Sequence, residues 1–265
     1  MKENINKYLD AHVHISKIDL PDSNLFRELE NKKKLVFILQ NTDIGQSILI
    51  KAQSLSNKNG YHNFGHELGV AESAIRIARA MGLSKDEINL LALVGLFHDA
   101  GHTGVAKSDD EEVAYQKTME VVSEEELSNL GCTQDDVYKL IIATKFSLRG
   151  KCDGILEKII QDADMGCIGY GPYYMLYSTM GLVDEEYASI NNYLEDEAKF
   201  FAYLAKIDPQ IYLSDGARQI FSDPRESLKQ IAEWPQEVIT YAYTQRYQDI
   251  SFEDFSRNIS EIIYR

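Results

Sequence analysis

The segment 85–97 constrains this chain more than any other. It reads Lys-Asp-Glu-Ile-Asn-Leu-Leu-Ala-Leu-Val-Gly-Leu-Phe, apolar on most faces of a helix, and such a helix must lie inside a bundle of other elements. Ser84 and Glu87 form the capping box that opens it. Upstream, Leu68, Ala71, Ala74 or Ile75, and Ala78 recur at helical spacing across 67–81, and Gly82 follows as a C-cap. Further helices are predicted over 109–129, from Thr133 through Thr144, and over 156–164, 184–206, 215–221, 225–231 and 252–264. Pro209, Pro224 and Pro235 punctuate the later ones. Only 34–50 is ambiguous, because Leu35-Val36-Phe37-Ile38-Leu39 suits either a buried strand or a helix. The predicted class is all-α.

A length of 265 residues with 44% apolar content is enough for one large domain or two small ones with a sizeable core. The three cysteines, Cys132, Cys152 and Cys167, are odd in number and show no CxxC spacing. A disulfide framework and a thiolate zinc site are thereby disfavoured, and a reducing compartment is expected. The N-terminus lacks the layout of a signal peptide, and the longest apolar stretch, 90–97, is too short to span a bilayer. A cytoplasmic location with no membrane partner follows as the expectation. Against 27 basic residues stand 42 acidic ones, for a net charge of −15. That balance disfavours extended nucleic acid. It leaves room for a small phosphorylated substrate, since a bound divalent cation reverses the local field of a cleft.

Four of the six histidines fall in two short clusters, Tyr61-His62-Asn63-Phe64-Gly65-His66 and His98-Asp99-Ala100-Gly101-His102. Each has His at i and i+4, which a helix places on one face. His66 opens one predicted helix and His98-Asp99 closes the next, so antiparallel packing of the two would make the clusters converge. A third element, Gln161-Asp162-Ala163-Asp164, closes another apolar run; its two acids are poor core material unless something pairs them. Imidazoles with carboxylates form a mixed nitrogen and oxygen set suited to a divalent ion such as Zn, Mn, Fe, Mg or Ni. Asp99 could bridge to a second ion held mainly by water. Either Asp162 or Asp164 could complete the set.

At these residues the sequence resembles the HD superfamily of metal-dependent phosphohydrolases. His66, His98-Asp99 and Asp164 follow one another in that family's order. Tyr61-His62-Asn63-x-x-His66 is similar to the opening motif of class I cyclic-nucleotide phosphodiesterases and of a bacterial group of HD phosphohydrolases. The segment 162–169 resembles the Asp-Ala-Asp segment of the bacterial group, as do, more loosely, Ile211-Tyr212, Arg218, Phe221 and Arg225. The resemblance implies an HD-domain helical bundle with additional C-terminal helices. It implies His66, His98, Asp99 and Asp164 as metal ligands, and His62 as the acid that protonates the leaving oxygen. His102 would contact the phosphate or its bound water. Asp162 would orient a ligand or substitute for Asp164 as one. Lys145 and Arg149 are candidates to neutralise phosphate charge, although basic residues just past a helix end are more often solvated. Family members with two ions held fully by protein carry further histidines before the final Asp. Here His102 is the last His of the chain, which disfavours those classes.

One motif competes. Asp10-Ala11-His12-Val13-His14 is similar to the start of amidohydrolase barrels. Such a barrel takes about 250 residues, and the histidine clusters begin at residue 61, so these residues are read as structural. The expected organisation is an N-terminal helical extension over 1–59, a catalytic domain over 60–232, and a C-terminal helical segment over 233–265 belonging to the same domain. The expected activity is attack of metal-activated water on a phosphate ester of a nucleotide-sized substrate, cyclic nucleotides included. Tyr170, Tyr173, Tyr174 and Phe146 are candidates to stack on a base. The alternative is a non-catalytic HD-fold module that binds metal or nucleotide.

Overall fold

The helix Lys85–Phe97 lies where its composition demands: every residue from Ile88 to Phe97 is buried. It belongs to a computed structural model that describes residues 28–56, 59–103, 109–187 and 189–265, and these are all-α. In chain order the helices are α1 (Glu28–Asn41), α2 (Gln46–Leu55), α3 (Phe64–Ala80), α4 (Lys85–Phe97), α5 (Asp110–Val121), α6 (Glu124–Asn129), α7 (Gln134–Ala143) and α8 (Ile155–Asp164). There follow α9 (Pro172–Thr179), α10 (Leu182–Glu185), α11 (Tyr193–Ile207), α12 (Asp215–Ile220), α13 (Pro224–Ala232), α14 (Gln236–Thr244) and α15 (Phe252–Ile263). No described helix is long and apolar enough to cross a membrane.

The ambiguous segment is helical on both sides of a break at 42–45, in α1 and α2. Leu35 and Ile38, three residues apart on α1, are both fully buried against α3. Two predicted helices are broken. The stretch 109–129 divides at Val122, because Ser123 and Glu126 form a capping box of their own and start α6. The stretch 184–206 divides into α10 and α11. Periodicity did not mark α9, which Pro172 opens at its first turn, or α14. His12 and His14 lie outside the described residues.

Two apolar cores result. The first gathers α1–α8 around α3 and α4, and the second is built from α9–α11 and α13–α15. Each fully buried aliphatic side chain contributes roughly 1.5–3 kcal/mol to holding them together. Ala163 belongs to the first core and Met165 to the second. Asp164, between them, therefore sits on the seam.

Candidate metal centre

Three helix ends meet at one place. Asn63 caps α3: its side-chain oxygen accepts from the Gly65 and His66 N–H groups, and its amide donates to the Asn59 and Gly60 carbonyls. His66 is thereby fixed in the first turn and His62 just before it. At the other end of the neighbouring helix, His98 caps α4. Beyond it the chain turns sharply, with His102 N–H donating to the Asp99 carbonyl and Gly101 at φ +85°, a value glycine tolerates without strain. Gly95 lets α3 and α4 approach, since a Cβ there would stand 2.7 Å from the Ala71 backbone. The third end is that of α8, at Asp164.

His66 Nε2 lies 3.2 Å from Asp164 Oδ1 and 3.5 Å from Asp99 Oδ2. His98 Nε2 lies 3.2 Å from Asp99 Oδ2 and 3.4 Å from Asp164 Oδ1. Ligands about 2.0–2.2 Å from a common ion stand roughly 3–3.5 Å from one another. The two Nε2 atoms and Asp99 Oδ2 are buried with no well-formed hydrogen bond, a costly state unless a cation satisfies them. His98 Nδ1 sits 3.1 Å from the Gly95 carbonyl and with a proton there donates to it, which turns Nε2 to the cluster; burial opposes charge on this ring, but Asp99 and Asp164 outweigh it and raise its pKa, so a cation would bind Nε2 by displacing a proton. Burial keeps His66 below its ordinary pKa, in the neutral form that can coordinate. Burial opposes ionisation of Asp99 and Asp164 too, but the neighbouring His98 and His66 outweigh it and hold both below the usual carboxylate range. His66, His98 and Asp164 meet the separation expected of ligand atoms sharing an ion, and Asp99 adjoins both histidines. The donor set fits a divalent cation.

His62 lies beside this cluster. Its Nδ1 is 2.6 Å from Glu185 Oε2, and the same carboxylate accepts the backbone N–H of Tyr61 and of His62. Burial would lower the His62 pKa, but the Glu185 bond and the charges of Asp99, Glu185 and Glu186 raise it to about 9. Its Nε2 is 3.8 Å from Glu186. The His62 ring lies on that of His102, with centroids 4.2 Å apart. Burial and the His62 charge lower the pKa of His102, whose Nε2 is 3.6 Å from Asp110. Tyr61 covers His66 at 4.5 Å between ring centroids.

Glu185, Glu186 and Glu67 were missed in the sequence. Glu67 is buried next to His66, one of its oxygens is unpartnered, and burial pushes its pKa to about 8. A carboxylate beside a helical ligand is a weak signal. The Asp184-Glu185-Glu186 run reads as a solvated face.

Three expectations need correction. Asp162 is neither a ligand substitute nor an orienting neighbour of the cluster. It is fully buried and accepts from Arg149 Nη2 at 3.1 Å, Leu213 N at 2.9 Å, Ser214 N at 2.7 Å and Ser214 Oγ at 2.8 Å. Arg149 is not a phosphate contact: it is buried, and its other donors go to the Gln161 and Ile211 carbonyls. Lys145 is engaged by Glu112 and Glu111, at 3.1 and 3.5 Å. Of the four aromatic candidates, Tyr170 and Tyr174 line a partly enclosed cavity of about 70 Å³ together with Tyr61, His66, Asp164 and Cys167. Tyr173 packs on Trp234, and Phe146 on Phe200 and Tyr203.

Residues 63–165 match the HD domain family. That segment, from the cap of α3 to just past α8, is similar to an HD domain. Its limits enclose His66, His98, Asp99 and Asp164, leave His62 one residue outside, and exclude Glu185. No curated protein matches the sequence. The architecture is similar to that of the phosphodiesterase domain of the Salpingoeca rosetta rhodopsin phosphodiesterase, at 16% identity over 95% of this chain and 92% of that one, with a TM-score of 0.47. It is also similar to LmjPDEB1 in complex with IBMX, at 12% identity over 98% of each chain, with a TM-score of 0.48.

Proposed function

We propose that the protein is a metal-dependent phosphohydrolase that cleaves a phosphate ester of a nucleotide-sized substrate, cyclic nucleotides among the candidates. The observation that carries this reading is the convergence of His66, His98, Asp99 and Asp164 from three helix ends, with buried ligand atoms that lack hydrogen-bond partners. In this reading those four residues would hold a divalent ion, and Asp99 would be the one to reach a second. A divalent ion there supplies a lowered-pKa water and polarises a phosphoryl oxygen.

The chain's own residues do the rest. His62 carries a proton on Nε2, kept there because Glu185 holds Nδ1, and donates it to the departing alkoxide. His102, stacked on His62, contacts the phosphate or its water. Tyr170 and Tyr174 give the cavity beside Asp164 an aromatic wall that suits a base. Residues 60–232 form the catalytic unit, with 233–265 part of the same domain, and the protein works in the cytoplasm.

The test uses the purified chain with Zn, Mn, Fe, Mg or Ni and a panel of nucleoside monophosphates and cyclic nucleotides, read as released phosphate or ring-opened product. His62→Ala should keep its metal and lose at least about a hundredfold in kcat. Equal turnover by wild type and His62→Ala would remove His62 from the mechanism.

A further inference from the structure

Glu185 orients His62 from a helix too short to orient anything. α10 has four residues, and a single helical turn costs more conformational freedom than its one hydrogen bond returns. Its direction must come from what it touches. Asp184, next to Glu185, accepts from Tyr243 OH at 2.7 Å, Tyr247 OH at 2.5 Å, Arg246 Nε at 2.7 Å and Arg246 Nη2 at 3.4 Å. All three donors come from the end of α14 and the turn after it. They are ordered among themselves: the Arg246 guanidinium lies 3.6 Å from the Tyr243 ring centroid and 4.5 Å from that of Tyr247, and it donates to the Tyr243 carbonyl at 2.7 Å. The segment leading to His62 meets the same place. A Cβ on Gly60 would stand 2.9 Å from both the Gly181 carbonyl and Tyr247 OH, and 3.2 Å from Glu185 Oε1.

We propose that Tyr243, Arg246 and Tyr247, closed on Asp184, are positioning residues for His62. They lock α10 so that Glu185 holds His62 Nδ1 and Nε2 faces the leaving group. The segment around residue 245, outside the HD match, thus belongs to the proton-donating apparatus. The inference rests on the reading of His62 as proton donor. In that step a water that has given one proton to solvent forms a bond from its oxygen to phosphorus as the phosphorus–oxygen bond to the leaving group breaks. The His62 Nε2 proton goes to the leaving oxygen, and the ring later regains a proton from solvent.

The experiment compares kcat on 4-nitrophenyl phosphate, whose leaving group needs no proton, with kcat on phenyl phosphate, whose leaving group does. It uses the metal-loaded full chain, the double variant Tyr243→Phe/Tyr247→Phe, Arg246→Ala, and His62→Ala as reference. The phenyl to 4-nitrophenyl ratio should fall about ten- to a hundredfold in the clamp variants, with KM and bound metal held. In parallel, the low-field Nδ1 proton of His62, identified by its absence in His62→Ala, should shift or broaden in the clamp variants. An equal loss on both esters, or an unmoved Nδ1 proton, would overturn the proposal. If His62→Ala itself leaves the ratio unchanged, the proton-donor reading fails, and the proton signal still reports on the clamp. If neither ester is turned over, that signal decides alone.

Discussion

Replacing Asp162 by Asn separates the two acids of the Asp-Ala-Asp segment. The Asp162 carboxylate is fully buried, and every donor it meets points at an oxygen: Arg149 Nη2, the Leu213 and Ser214 N–H groups and the Ser214 hydroxyl. An amide in its place turns one acceptor into a donor facing other donors, and leaves the buried Arg149 without its counter-charge. Removing one partner of a buried ion pair costs about 3–5 kcal/mol. The same pair fixes the loop before α12, where Ile211 has a φ of 68° and its carbonyl accepts from Arg149 at 2.9 Å. A β-branched residue in that region carries roughly 1–3 kcal/mol of strain, which the loop can relax once the anchor is gone. For a chain of this size about 4 kcal/mol corresponds to a fall in Tm of roughly 8–16 °C. The assay is urea and thermal unfolding of wild type, Asp162→Asn and Asp164→Asn, all stripped with chelator, followed by metal analysis after reloading. Asp162→Asn should be the unstable variant and still take up metal, and Asp164→Asn the reverse. An Asp162→Asn protein within about 1 kcal/mol of wild type that fails to bind metal would refute the assignment.

Other outcomes follow from the same geometry. Glu185→Gln keeps the shape of the His62 partner and removes its charge. Because His62 must be protonated to donate, activity is present below its pKa and lost as pH rises through it, so the basic limb of the kcat profile should move to lower pH. Glu197, buried in the second core with Tyr187 OH 2.9 Å away, is raised by burial to about 7 against an ordinary 4.5. Between those values the unfolded chain ionises while the folded one stays protonated. Stability should therefore fall by about 1.4 kcal/mol per pH unit as pH rises across that window, roughly 3 kcal/mol in all. Glu197→Gln should flatten that slope in urea titrations. Gly181→Ala would drive a Cβ into the Gly60 carbonyl. It should cost about 1–3 kcal/mol, seen as a lower urea midpoint, with a further drop in kcat because Tyr61 and His62 follow Gly60.

The helical framework was legible where local chemistry agrees with burial. α4 carries both its capping box and an all-round apolar surface, and its limits match the pattern. The histidine clusters were legible for a related reason: a polar ligand can reach a buried centre from a helix end without breaking an apolar face, so the motif residues stand where apolar periods stop. Arg149 was misjudged because a basic residue after a helix ordinarily faces water. The loop at Ile211–Ser214, some sixty residues on, closes over it, and its weak resemblance gives no sign of a contact with Arg149. Glu185 was invisible because its partner is a ring more than a hundred residues earlier, and an acidic run carries no sign of which carboxylate turns inward. Periodicity also passed over α9, whose tyrosines pack on the second core while its polar residues bond back to their own helix.

The central claim is that four residues from three helix ends form a functional metal centre. Elemental analysis of the purified chain, paired with phosphate release from nucleotides, tests it most directly. The account predicts stoichiometric divalent metal in wild type, its loss in His66→Ala and His98→Ala, and hydrolysis that disappears with the metal. A wild-type chain that binds none of the five ions and hydrolyses no phosphate ester in their presence would contradict it.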